Sequence, residues 1–156
     1  MIQRVQSICL LLSSIFYFLY WFFGYKWYEK GYVFFQQNLV ANIDANLFQL
    51  IFDLTSFMPL VISLITFCSI FLYNSRLVQI KLANMSFYLS LLMSVYTILY
   101  FSITLFYLIN LIDSILTEIL LYAAVFNPFI CSYLIYFAIK KITHDENLIN
   151  SINRIR

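Results

Sequence analysis

Two carboxylates stand beside long apolar segments of this chain, Asp53 and Glu118. An ionised carboxylate inside a bilayer costs at least about 2.5 kcal/mol, so an acidic residue there is a candidate for proton or ion binding. Asn127 precedes Pro128 in an apolar segment, where the proline leaves a backbone carbonyl without its helical partner. Asp53, Glu118 and Asn127 thus define one hypothesis, an ion or proton site in a small channel or transporter subunit. The alternative is that both carboxylates lie in the first turns of helices, where water and the helix dipole stabilise them.

Residues suited to enzymatic chemistry are few and scattered. The chain has one histidine, His144, and three cysteines, Cys9, Cys68 and Cys131. None of them forms a C-x-x-C pair or shows the spacing of zinc ligands. A glycine-rich phosphate loop and a G-x-S-x-G motif are also absent from the sequence. We therefore predict a protein that is not an enzyme, with no catalytic residue, no cofactor and no metal site.

Four segments without a charged residue dominate the chain: residues 5–25, 54–75, 82–112 and 119–139. Each is long enough to cross a bilayer, for which a helix needs about 20 apolar residues. Hydrophobic residues make up 63% of the chain and charged residues only 10%, compared with roughly 25% charged in a soluble domain. The sequence predicts an all-α membrane protein with four transmembrane helices, at about residues 5–25, 52–73, 83–109 and 115–139.

The basic residues indicate which side of the membrane each connection occupies. Lys26 and Lys30 lie between the first two spans, whereas the other basic residues lie near the termini or between spans two and three: Arg4, Arg76, Lys81, Lys140, Lys141, Arg154 and Arg156. Lysine and arginine are enriched in cytoplasmic segments. Trp21 and Trp27 then lie near the outer end of the first span, where interfacial aromatic residues belong. The pattern predicts a multi-pass protein with both termini in the cytoplasm (N-in/C-in).

The lengths of the connections predict how the helices are arranged. A short inner turn over residues 74–81 and a shorter outer turn over residues 110–114 favour antiparallel neighbours. We expect a single integral membrane domain over residues 1–156, an up-down-up-down bundle. The outer connection over residues 26–46 is predicted to be a loop, in which residues 32–35 form either a short strand or an interfacial segment.

Small polar residues of the third span recur at spacings of four, four and three: Ser86, Ser90, Ser94 and Thr97. This spacing places them on one helix face and predicts a seam at which another helix approaches closely. A solute path along the seam is the alternative. Tyr96, Tyr100 and Tyr107 also share a face, a pattern more typical of packing or lipid contact than of a ligand cage.

The segments on the predicted cytoplasmic side are the most distinctive part of the chain. Residues 1–7 read MIQRVQS, residues 72–82 read LYNSRLVQIKL, and residues 145–156 read DENLINSINRIR. They resemble an uncharacterised family of short four-span membrane proteins of Bacteroidota, domain of unknown function 4293. That family has an M-I-Q-R-I/V-Q-S start, an L-Y-x-x-R-x-x-Q-x-K/R-L turn and a D-E-x-L-V/I-x-S-x-x-R-I/L-R finish. The resemblance covers the whole chain and implies a bacterial inner-membrane protein, but no activity and no catalytic residue.

Charged and amide side chains of these segments form a candidate docking surface: Arg4, Arg76, Gln79, Lys81, Asp145, Glu146, Arg154 and Arg156. In the tail over residues 140–156, Leu148, Ile149, Ile152 and Ile155 recur at helical spacing, which predicts a short amphipathic helix at the membrane surface. The predicted function is a non-catalytic accessory or scaffold component that binds a membrane or cytoplasmic protein. The net charge of +2 is too small to indicate nucleic acid, and a homo-oligomer is compatible with the sequence.

Overall fold

The computed structural model describes residues 2–39, 45–73, 75–111 and 115–155. They form four helices: α1 (Ile2–Leu39), α2 (Ala45–Phe71), α3 (Arg76–Asn110) and α4 (Ile115–Ile155). By length and composition, each helix contains a segment able to cross a membrane: Val5–Phe34, Gln49–Phe71, Arg76–Asn110 and Ile115–Ile149. The predicted class, all-α with four helices suited to crossing a membrane, is confirmed.

The first helix is longer than predicted, because it continues through much of the connection expected to be a loop. Residues 26–39 belong to α1, so the prediction of a loop over residues 26–46 is wrong for this part. Residues 32–35 are helical, which excludes a short strand. Ring contacts with α2 and α3 stabilise these added turns: Tyr32 with Phe52 at 4.5 Å between centroids, and Phe34 with Tyr107 at 4.2 Å.

The fourth helix likewise continues through the predicted tail. Residues 140–155 extend α4 without a break, and neither glycine nor proline interrupts them. Ile142 is buried against Leu10 of α1 and Ala138 of α4. The first turns of the tail are therefore part of the helix bundle, and the tail is not a separate helix joined to α4 by a loop.

Three hydrophobic clusters follow one another along the bundle, in which α1 contacts each of the other helices. Their buried members are, in order, Leu10, Ala138 and Ile142; Tyr17, Ile62, Met93, Cys131 and Ile135; and Tyr100, Phe101, Leu108 and Leu121. Ile80 of α3 packs against the first cluster and Trp27 of α1 against the third, so residue numbers rise from the first cluster to the third in α1 and α3 and fall in α4. We call the end with the first cluster the terminal end and the end with the third cluster the tyrosine end.

Apolar side chains cover the outside of the bundle, whereas small polar side chains fill much of its interior. Phe106, for example, is 78% exposed and Phe22 is 62% exposed. The seam predicted on α3 is confirmed, because its four residues are all buried: Ser86, Ser90, Ser94 and Thr97. Large apolar surface outside and close helix contact through small residues inside are what a hydrocarbon environment favours.

A hydrogen bond between buried hydroxyls, Tyr17 Oη and Ser90 Oγ at 2.6 Å, joins α1 to the seam of α3. Tyr17→Phe removes this bond and keeps the ring. We expect it to lower the free energy of unfolding by about 0.6 kcal/mol, the average for hydrogen bonds between membrane helices. Unfolding in mixed micelles with increasing dodecyl sulfate measures the change. Tyr133→Phe makes the same change on the exposed face of α4, so equal effects of the two variants would contradict a role for this bond.

Candidate functional site

A small polar cleft lies at the terminal end, where α1, the turn after α2, α3 and α4 meet. Its lining residues are Gln6, Ser7, Tyr73, Arg76, Gln79, Ile142 and Asp145. We call it the terminal cleft. Its volume is about 20 Å³, which leaves room for about one water molecule. The terminal cleft is therefore a polar joint between helices rather than a pocket for a substrate.

A hydrogen bond closes this joint between the first and the last helix. Gln6 Nε2 donates to Asp145 Oδ2 over 2.5 Å, and His144 Nδ1 lies 3.9 Å from Asp145 Oδ1. Gln6 and Gln79 are only 5% and 4% exposed. A carboxylate acceptor makes such a bond stronger than one between neutral groups. One oxygen of Asp145 thus accepts a hydrogen bond from α1, and the other lies near the imidazole of the adjacent His144.

Arg76, the first residue of α3, is half-buried beside this joint. Asp145 lines the same cleft, but within the described part of the chain no carboxylate oxygen lies within 4.0 Å of the Arg76 guanidinium. A guanidinium presents five N–H donors in one plane and binds carboxylates through two of them at once. Arg76 is therefore a half-buried cation without an ion pair to any described residue.

A family model matches the chain over nearly its whole length. It is described as Domain of unknown function (DUF4293), and the match covers residues 2–155. The chain belongs to the DUF4293 family. No curated protein and no solved structure matches it significantly. The resemblance drawn from the sequence is confirmed, and the three segments that carried it all supply residues to the terminal cleft of this DUF4293 protein.

The structure brings three predicted docking residues of the DUF4293 protein together, since Arg76, Gln79 and Asp145 line the terminal cleft. Lys81 is exposed and Glu146 is half-buried, and neither lines it. The remaining three have side chains outside the described ones: Arg4, Arg154 and Arg156. Only these three residues of the predicted docking surface are therefore shown to meet in one cleft.

The apolar Ile142 was missing from the predicted docking surface, and so were three lining residues with a hydroxyl or amide side chain: Gln6, Ser7 and Tyr73. Residue type alone gave no reason to include them, because glutamine and serine near a chain end are usually solvated. All three, however, lie in residues 1–7 or 72–82, the segments that carry the DUF4293 resemblance. That shared location is the signal from which they could have been identified.

The residues of the alternative ion site occupy separate surroundings in the DUF4293 protein. Asn127 Nδ2 donates to the carbonyl oxygen of Phe16 over 3.3 Å, and Asn127 Oδ1 accepts from Cys131 Sγ over 3.6 Å. Asn127 also lines a larger cavity at the tyrosine end, which Asp53 and Glu118 do not line. Among described residues, no three His, Cys, Asp or Glu side chains are grouped to hold a metal ion. The ion site stays a prediction, and the observed contact of Asn127 is its bond to α1.

Proposed function

We propose that this DUF4293 protein is a non-catalytic accessory or scaffold component of a bacterial inner membrane. Its helices form an up-down-up-down bundle with both termini in the cytoplasm, and its terminal end binds a protein partner. The distribution of basic side chains supports this orientation, since Arg76, Lys81, Lys140 and Lys141 lie towards the terminal end.

The position of Arg76 is the observation that carries the docking proposal. Its side chain lines the terminal cleft together with Asp145, whose carboxylate accepts a hydrogen bond from Gln6. Partial burial of a charged group costs free energy that an ion pair within the protein would normally offset. Because no carboxylate of the described residues lies within ion-pair distance of Arg76, we propose that an acidic segment of the partner supplies one.

Exposed lysines extend the positive surface around Arg76. Lys81, Lys140 and Lys141 are all exposed, and Lys141 Nζ lies 5.5 Å from the centre of the Phe137 ring. Exposed charges steer the approach of an opposite charge more than they strengthen the final complex. The lysines therefore favour an acidic partner, whereas Arg76 is the residue whose loss should break the complex.

Arg76→Gln should release the partner while the bundle stays folded. We expect the amount of partner that co-purifies from native membranes in mild detergent to fall at least about tenfold, because losing one member of a buried interfacial charge pair costs about 2–5 kcal/mol. Quantitative mass spectrometry of the purified complex measures this amount. Lys26→Gln, which removes an exposed lysine of α1 in the tyrosine half, is the matched control and should leave the partner bound.

The contribution of the tail needs a truncation that preserves the terminal cleft. A chain that ends after Glu146 loses Leu148, Ile149 and the two last arginines of the tail, but it keeps Asp145 and its bond to Gln6. If neither this truncation nor Arg76→Gln changes the set of co-purifying proteins, the docking proposal is wrong. Recovery of a homo-oligomer with no other protein would also contradict it and would favour the channel or transporter alternative.

A further inference from the structure

A cavity of about 640 Å³ lies between the four helices at the tyrosine end. Every helix contributes to its wall, including Trp21 and Gly24 of α1, Thr55 of α2, Tyr100 of α3 and Ala124 of α4. Small residues help to create the space, since a Cβ atom built at Gly24 would meet nothing within 4 Å. The volume falls within the range of about 300–1,000 Å³ that is typical of small-molecule sites.

The cavity opens between α1 and α4, on the outside of the bundle. Several wall residues are themselves exposed: Phe16, Leu19 and Phe23 of α1, and Leu120 and Ala123 of α4. The bond from Asn127 to the carbonyl oxygen of Phe16 ties the two helices together at the edge of the cavity. Because both helices cross the apolar layer, a molecule reaches this opening from the hydrocarbon of the bilayer.

The wall carries no charged side chain, and one of its polar groups has no partner. Trp21 Nε1 is buried and makes no hydrogen bond to any residue that the structure describes. The neighbouring tyrosines are engaged instead, since Tyr100 Oη donates to the carbonyl oxygen of Tyr28 over 2.8 Å. The Tyr28 hydroxyl is itself hydrogen-bonded to Thr55 and Tyr96. Because Trp21 Nε1 is fully buried, it does not face the open space of the cavity, and a ligand there is held mainly by contact with apolar and aromatic groups.

We infer that this cavity binds one uncharged lipid-like molecule from the bilayer, with a planar ring as its head and an apolar tail. The ring lies against the aromatic wall, and the tail leaves between α1 and α4. The aromatic wall favours a flat ring that packs against tryptophan and tyrosine. A phosphate head is disfavoured, because the wall offers no cation to pair with it. This binding is independent of the terminal cleft and of any partner there.

Intrinsic fluorescence reports the occupancy of the cavity, because Trp21 and Trp27, the only tryptophans, both line it. The probe is a benzoquinone with an alkyl tail, a planar carbonyl compound that quenches indole emission. We expect saturable quenching when the purified protein in detergent is titrated with this probe. An excess of an uncharged alkylbenzene, which does not quench indole emission, should displace the probe and restore the fluorescence, whereas phosphatidylglycerol should not.

Substitutions that fill the cavity should weaken binding of the probe. Gly24→Leu places a side chain in open space and should raise the Kd at least about tenfold. If Gly24→Leu does not fold, Ala123→Leu at the opening makes the same test. Phe22→Leu changes an exposed residue beside Trp21 that does not line the cavity, and it should bind as the wild type does.

Three results would overturn the inference. An unchanged Kd in the folded leucine variants would show that the probe binds elsewhere. Quenching that does not saturate, or that is equally strong for a tryptophan ester dissolved in protein-free micelles, would show that the probe only partitions into detergent. Displacement by phosphatidylglycerol as effective as by the uncharged competitor would show that the site accepts charged lipids.

Discussion

Gly31→Ala is expected to destabilise the protein by roughly 1–3 kcal/mol, the usual range for overpacking a tightly packed interior. A Cβ atom built at Gly31 would lie 2.1 Å from Tyr100 Oη and 3.0 Å from Tyr100 Cζ. The ring cannot move away freely, because Tyr100 is buried and its hydroxyl donates to the carbonyl oxygen of Tyr28 over 2.8 Å. Relief of the clash would therefore also cost this interhelical hydrogen bond.

Gly24→Ala is the matched control, in the same helix and with the same change of one methyl group. A Cβ atom at Gly24 has open space around it, and alanine is more favourable than glycine within a helix by roughly 0.5–1 kcal/mol. Thermal unfolding in one detergent, followed by circular dichroism, should show a lower Tm for Gly31→Ala and an equal or higher Tm for Gly24→Ala. Equal Tm values for the two variants would contradict the prediction.

A double variant tests the cause of the expected loss. Tyr100→Phe removes the oxygen atom nearest to the new methyl group, so it should partly restore stability in the Gly31→Ala background. In the wild-type background, the same change removes only the bond to Tyr28 and should destabilise. A coupling free energy of the opposite sign would show that the backbone, rather than Tyr100, absorbs the added methyl group.

The four helices could be predicted because the bilayer imposes their minimum length and requires their backbone groups to be paired within the segment. The ends of α1 and α4 could not, since residues 26–39 and 140–155 contain polar side chains that a loop would also carry. These ends are helical because they have tertiary neighbours. The Tyr32 ring packs on Phe52, for example, and Ile142 packs on Leu10.

The candidate sites differ in how far the sequence could predict them. The seam on α3 was accessible because helical spacing alone places its residues on one face. The sequence motifs were enough to select three residues of the terminal cleft: Arg76, Gln79 and Asp145. Their contact with Gln6 could not be predicted, because it joins parts of the chain that are far apart in sequence. The cavity at the tyrosine end could not be predicted from the sequence, because its existence depends on how the side chains of four helices pack against one another. Tyr96 and Tyr100 accordingly combine the predicted packing role with a place in its wall.

Asp145→Ala is expected to cost about 1–3 kcal/mol of stability, because it leaves the buried amide of Gln6 without its acceptor. The free energy of unfolding in mixed micelles with dodecyl sulfate measures this loss. Glu146→Ala removes the neighbouring carboxylate, which has no hydrogen bond or ion pair to another described residue, and it should change stability little. The double variant Gln6→Leu with Asp145→Leu removes both partners, so it should destabilise less than the sum of its single changes.

The same residues separate the stability of the bundle from the proposed docking. Asp145→Ala should reduce both stability and partner binding, since it loosens the joint next to which Arg76 is held. Arg76→Gln should reduce partner binding alone, because its guanidinium has no acidic partner among the described residues. If Arg76→Gln destabilised the bundle as much as Asp145→Ala does, Arg76 would be a structural member of the terminal cleft. The acidic segment assigned to a partner would then have no basis, whereas the Gln6 to Asp145 joint would keep its role in holding α1 to α4.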